Sequence, residues 1–112
     1  METETRPWGS FTTIVKNAKG ATTVKVITVN PDSRTSLQKH AKRSEEWLCL
    51  TGTAVVEIDG VKTILHKGGT ATVPVGSIHR IGSEEGCEIL EVSTGEFYEE
   101  DIIRFSDDYG RA

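Results

Sequence analysis

The run WLCLTGTAVVEIDGVKTILH, residues 47–66, decides the fold class. Apolar and polar residues alternate on both sides of Asp59-Gly60, a pattern of two half-buried strands joined by a tight turn whose central positions need positive φ. The same period of two recurs outward along the chain, in Thr22–Val29, Trp47–Leu50, Ala54–Ile58, Val61–His66, Thr70–Val75 and Glu88–Ser93. Turn-forming residues separate these runs: Asn30-Pro31-Asp32, Thr51-Gly52, Lys67-Gly68-Gly69 and Pro74-Val75-Gly76. No segment keeps a helical period over ten residues. The one helical expectation is a short turn over Glu99–Phe105, with Ile102, Ile103 and Phe105 packing inward. The chain is therefore read as all-β, a closed antiparallel sheet of sandwich or jelly-roll type.

A length of 112 residues suits one domain spanning 1–112, with a modest core. A net charge of -4 supplies no basic excess for a phosphate backbone, which argues against nucleic acid as a partner. No stretch reaches the roughly 20 apolar residues of a membrane helix, and the opening METETRPWGS lacks the layout of a signal peptide. A cytoplasmic protein with no membrane partner is expected. Cys49 and Cys87 have no nearby cysteine and read as reduced core thiols.

The chemistry concentrates in Gln38-x-His40-x4-Glu45 and in His79. Residues i and i+2 share a strand face, so Gln38 and His40 can point inward together while Lys39 points away. Glu45 lies across a short bend, and His79 follows the rigid Pro74-x-Gly76 turn. An amide oxygen, two imidazoles and a carboxylate suit zinc first, then manganese, iron, cobalt or nickel, and disfavour calcium. Four protein ligands leave coordination positions open, as an ion that touches a substrate oxygen requires.

The order Gln38-x-His40-x4-Glu45-x6-Gly52, then Gly68-x5-Pro74-x-Gly76-x2-His79, resembles the two cupin motifs, with glutamine where many cupins carry the first histidine. Arg6-Pro-Trp-Gly-Ser10, Arg43-Ser-Glu45 with Trp47, Pro74–Arg80, Asp101–Phe105 and Asp108-Tyr-Gly-Arg111 extend the likeness to the cupin part of type II mannose-6-phosphate isomerases. The resemblance implies a cupin double-stranded β-helix holding one divalent ion, and an aldose-ketose isomerase interconverting mannose 6-phosphate and fructose 6-phosphate. That family commonly fuses this part behind a mannose-1-phosphate guanylyltransferase domain. Nothing before Arg6 offers a glycine-rich phosphate loop, so this chain alone is not expected to make a sugar nucleotide. Where relatives carry further histidines, this chain has Ala41, Lys42 and Glu46. Those positions are not ligands by spacing, so the metal site should survive while substrate preference or turnover changes.

Arg43 and Arg80 are assigned to the substrate, whose phosphate a guanidinium fork fits, and Lys42 and Arg104 to catalysis. For the base that moves the C2 proton, Glu46, Lys42 and hydroxide on the ion stay open, with strand parity turning Glu46 outward. His66, beside a glycine turn, is read as a satisfied core or surface group and not a ligand, and Trp8 and Tyr109 as packing anchors. Two other readings stand beside the isomerase. One is a non-catalytic module binding a sugar phosphate or nucleotide sugar in polysaccharide precursor metabolism; the other is an iron-dependent dioxygenase. A homodimer is expected, because exposed sheet edges must be covered.

Overall fold

The computed structural model describes residues 1–18, 21–95 and 100–112. Among them the backbone forms strands and turns, with no helix. In chain order the strands are β1 Glu2–Arg6, β2 Gly9–Ala18, β3 Thr22–Val29, β4 Ser33–Arg34, β5 Leu37–Lys39 and β6 Arg43–Gly52. They continue with β7 Ala54–Ile58, β8 Val61–Leu65, β9 Thr70–Val73, β10 His79–Ser83, β11 Cys87–Gly95 and β12 Ile103–Ser106. One sheet runs β1-β2-β3-β11-β6-β9; the other runs β12-β5-β10-β7-β8, with β4 beside β10. Every pairing is antiparallel, and the two sheets share one core, the jelly-roll arrangement expected.

The 47–66 stretch folds as its alternation requires. Ile58 pairs with Val61 across a turn whose residues, Asp59 and Gly60, have φ of 49° and 82°. Gly52, which closes β6, has φ +71°, and a Cβ there would lie 2.1 Å from the Gly86 carbonyl oxygen. Only glycine allows that crossing of strands.

Burial alternates strictly along β3, β6 and β11, and their inward residues form rows across the sheet. Ile89 lies opposite Ile27 and Cys49, Glu91 opposite Lys25 and Trp47, and Ser93 opposite Thr23 and Glu45. Val29, Val56, Ile81, Ile89 and Cys87 fill one end of the interior, each side chain of that size contributing about 1.5–3 kcal/mol on burial. Toward the other end the rows turn polar. That gradient, apolar to charged along one barrel, puts the site at one mouth of a dry core.

Cys49 and Cys87 are both buried and free. Burial raises both thiols, Cys87 to about 11, which keeps them protonated and unreactive.

The expected helical turn over Glu99–Phe105 is corrected. Glu99 lies outside the described residues, and Ile103–Ser106 is an edge strand paired with β5. Ile103 and Phe105 face outward at 52% and 47% exposure, because Arg104 between them takes the inward position. Of the three apolar residues, Ile102 reaches the interior cavity.

Candidate metal centre

The two sheets each contribute to one polar cluster. β5 and β10 lie side by side with Gln38 opposite His79, and Glu45, the third residue of β6, faces them from the other sheet. His40 stands just beyond β5, at a bend pinned by Asp101. The Asp101 carboxylate accepts from the Ala41 and Lys42 amides, both at 3.0 Å, and its backbone carbonyl accepts from His40 Nδ1 at 2.6 Å. Partial desolvation works against ionisation of Asp101, but the two amides outweigh it and hold the carboxyl below the usual range.

A carbonyl oxygen can only accept, so these bonds fix the imidazole tautomers. His40 Nδ1 donates to Asp101, and His79 Nδ1 donates to the Ser77 carbonyl at 2.9 Å. Each ring therefore presents the Nε2 lone pair. Burial drives the His40 pKa down to about 4, with Arg43 and His79 adding to the effect, and burial likewise lowers His79. Both are neutral at neutral pH.

His79 Nε2 lies 3.3 Å from Glu45 Oε1, and that oxygen is buried without a hydrogen-bond partner among the described residues. Two lone-pair atoms thus face each other with no proton between them, in a protein interior where unsatisfied acceptors are rare. Ligand atoms of His40, Glu45 and His79 all lie within 4.8 Å of one another. A divalent cation satisfies all three at once, and the tethered Nδ1 atoms supply the outer contacts that orient ligating histidines. The residues fit the ion. Gln38 lines the same cavity, its Oε1 accepting from Ser36 Oγ at 3.2 Å.

The cavity measures about 110 Å³. Arg43, 7% exposed, reaches across it: Nη2 donates to His40 Nε2 at 3.1 Å, and Nε lies 3.5 Å from Glu45 Oε2. Below the ligands, Glu91 Oε1 accepts from Trp47 Nε1 at 3.3 Å. The Ser93 hydroxyl stands 3.5 Å from both Glu91 Oε2 and Glu45 Oε2. Burial first, then the Glu45 carboxylate, pushes the Glu91 carboxyl well above the usual range. Trp47 also meets the His79 ring edge-on, centroids 5.5 Å apart, which holds that imidazole from the side.

The predicted residues divide between two places. Gln38, His40, Arg43, Glu45, His79 and Arg104 line the cavity, and Arg104 Nε is buried without a hydrogen-bond partner among the described residues. Arg80 does not line it. On β10 it follows His79 by one residue, so its side chain crosses to the opposite face of the sheet, where Nε donates to the Thr35 carbonyl at 3.1 Å beside Arg34 and Asp108. Lys42 is exposed on the Asp101 bend, and Glu46 is exposed with its carboxylate accepting from Thr72 Oγ1 at 2.8 Å; neither lines the cavity. His66 is exposed and outside the cavity, Trp8 is buried at the cavity wall, and Tyr109 is 39% exposed.

Sequence reasoning passed over Lys25 and Glu91, each 6% exposed inside the barrel, and over Arg6 and Arg111 as cavity residues. The available signal was a charged residue at an alternate position of a mapped strand. Lys25 falls inside Thr22–Val29, and Glu91 inside Glu88–Ser93.

Comparison with known proteins agrees with this geometry. The profile of the family described as "Mannose-6-phosphate isomerase C-terminal" matches residues 1–107. A mannose-1-phosphate guanylyltransferase of Sinorhizobium fredii is 41% identical over 106 residues, covering 92% of this chain and 20% of that protein. The alginate biosynthesis protein AlgA of Pseudomonas aeruginosa is 39% identical over 109 residues, covering 95% and 22% respectively. The chain thus spans about a fifth of the length of these relatives. Among solved structures, the capsular polysaccharide assembling protein CapF of Staphylococcus aureus superposes with a TM-score of 0.83 at 18% identity, over 95% of this chain and 32% of that one. KdgF from Halomonas sp. does so with a TM-score of 0.78 at 12% identity, over 89% and 91%. Motifs, barrel and profile converge: the chain belongs to the mannose-6-phosphate isomerase C-terminal family and has the cupin fold.

Proposed function

We propose that residues 1–112 form one metal-dependent cupin domain that interconverts mannose 6-phosphate and fructose 6-phosphate, with His40, Glu45, His79 and Gln38 holding the ion. The observation that carries the reading is the buried, unpartnered Glu45 Oε1 facing His79 Nε2 at 3.3 Å inside a cavity ringed by arginines. The donor set suits zinc, and manganese, iron, cobalt and nickel are compatible with it. A divalent ion held there would supply Lewis acidity to a sugar's carbonyl and neighbouring hydroxyl oxygens.

The chain's own residues do the rest. Asp101 and Ser77 keep Nε2 of each imidazole directed inward, and Trp47 walls the cavity against water. Arg6, Arg104 and Arg111 reach the same cavity from the two ends of the chain, and their guanidinium forks match a phosphate dianion. The family relatives carry names from mannose phosphate and alginate metabolism, which favours a phosphorylated hexose over other carbonyl compounds.

The decisive assay follows metal-loaded protein with mannose 6-phosphate for appearance of fructose 6-phosphate. Turnover with at least one of zinc, manganese, cobalt or iron is the expected result. Tight binding without turnover under every metal would replace the isomerase by a sugar-phosphate binding module, and oxygen uptake dependent on ferrous iron would replace it by a dioxygenase. Purification without chelators, followed by elemental analysis, is expected to return about one divalent ion per chain.

A further inference from the structure

Exchanging a 2-hydroxyaldehyde for a hydroxyketone moves one hydrogen between neighbouring carbons. By the proton-transfer route a base takes the C2 proton and hands it back, a task that suits a side chain separate from the groups that would hold the ion. Lys42 and Glu46 are exposed and outside the cavity. Among the described residues that line it, the carboxylates are Glu45, which belongs to the ion, and Glu91.

We infer that Glu91 is the proton-transfer group of this site, an inference that rests on the isomerase reading. The geometry is that of a held, reachable carboxylate. Glu91 sits on β11 in the same inward row as Trp47 and Lys25, 6% exposed, with one oxygen anchored on the Trp47 indole N–H at 3.3 Å. Its other oxygen is one hydroxyl, Ser93 Oγ, away from the ligand carboxylate of Glu45. A sugar oxygen drawn to His40, Glu45 and His79 therefore brings its carbon into the small volume that Glu91 lines. Lys25, directly opposite Glu91 in the strand register, is buried beside it with Nζ 4.0 Å from the Phe11 ring centroid. A lysine and a glutamate placed in a barrel interior carry a desolvation cost that a purely architectural pair of apolar residues would avoid.

The step balances without a co-reactant. The C2–H bond breaks, its proton passes to the Glu91 carboxylate, its electron pair becomes the C1–C2 double bond, and the carbonyl pair moves onto O1. Glu91 then returns the proton to C1, the O2 hydroxyl proton passes to O1, and C2 becomes the carbonyl.

The test uses the metal-loaded chain and mannose 6-phosphate deuterated at C2, read for turnover, KM, metal content and loss of deuterium to solvent. Glu91→Gln keeps the volume and the acceptor for Trp47. The expected result is a fall in kcat of roughly 10²–10⁴-fold and loss of deuterium washout, with KM and metal content within about threefold of wild type. A Glu91→Gln protein that turns over within tenfold of wild type, or that still exchanges deuterium at the wild-type rate, overturns the inference. Should that variant fail to fold, Glu91→Asp reads the same point. A kcat lowered at least tenfold at unchanged KM supports Glu91, and an unchanged kcat overturns it. A wild-type chain that neither turns over nor exchanges sinks the isomerase reading itself, whereas an active wild type matched by an equally active variant sinks Glu91 alone.

Discussion

Arg43 occupies ground that a metal ion would contest. Its guanidinium donates to His40 Nε2 at 3.1 Å, a lone pair the ion would need, and stands 3.5 Å from Glu45 Oε2 on the carboxylate that would also ligate it. Both side chains of the Arg43 and Glu45 pair are buried, so removing the guanidinium leaves a carboxylate without its counter-charge, at a typical cost of about 3–5 kcal/mol. Arg43→Met is therefore expected to lower the thermal midpoint of metal-free protein. The same change should raise zinc affinity about tenfold, measured by competition with a chromophoric chelator, because the ion no longer displaces a resident cation. Equal or weaker zinc binding in the variant would mean that Arg43 supports the ligands instead of competing for them. The clustering of the candidate ligands was legible in the sequence because parity and spacing act locally: Gln38 lies on β5 with His40 just beyond its end, and a rigid turn precedes His79. Arg80 was misplaced by the same rule left unapplied, since a neighbour of an inward histidine on a strand points outward.

At the scale of a strand, alternation gave the positions of β3 and β7 residue for residue and covered β8 and β9, but it caught only Trp47–Leu50 of β6, which runs Arg43–Gly52. It could not say which face was inner. In Glu88–Ser93 the face carrying Leu90 and Val92 is the more apolar, yet Ile89, Glu91 and Ser93 turn inward. A charged and polar inner face there runs against hydrophobic patterning, and that is why Glu91 and Lys25 escaped notice. β2 escaped for another reason: its register shifts between Thr13 and Val15 and again before Ala18, which breaks the period and leaves Ile14 and Val15 exposed. β5 is too short, at three residues, to show a period, and β10 breaks the alternation because His79, Arg80 and Ile81 are buried in succession. Two glycines make a controlled comparison of turn geometry. Gly52→Ala meets both left-handed strain and a backbone oxygen 2.1 Å from its new Cβ, so a loss of about 2–5 kcal/mol is expected in urea unfolding. Gly60→Ala, at φ +82° with nothing within 4 Å, should lose only about 1 kcal/mol. Equal losses at the two positions would show that steric approach at Gly52 is relieved by movement of the β10–β11 connection.

Across the whole molecule, the last residues fasten the barrel's mouth. Asp107 accepts from the Arg111 guanidinium at 3.0 and 3.1 Å and from its amide at 2.8 Å, while Asp108 takes both Arg34 donors at 2.6 and 2.9 Å. These bonds hold both carboxyls below their ordinary value of 3.8. A depressed folded pKa means that the contribution is complete above the unfolded value and disappears as pH falls through the folded one. Amide hydrogen exchange over residues 103–112, corrected for intrinsic rate, should therefore stay constant from pH 7 to about 5 and accelerate only below about pH 4. Acceleration already at pH 6 would assign the fastening to a histidine instead.

The cavity rim joins Arg6, near the start of the chain, to Arg104 and Arg111, near residue 112. During vectorial synthesis His40, Glu45 and His79 leave the ribosome before either of the later arginines. Because the Asp101 carbonyl holds His40 Nδ1, those three side chains reach their final geometry only once residue 101 has emerged as well, so a cation site of this shape would be completed together with the arginine edge and not ahead of it.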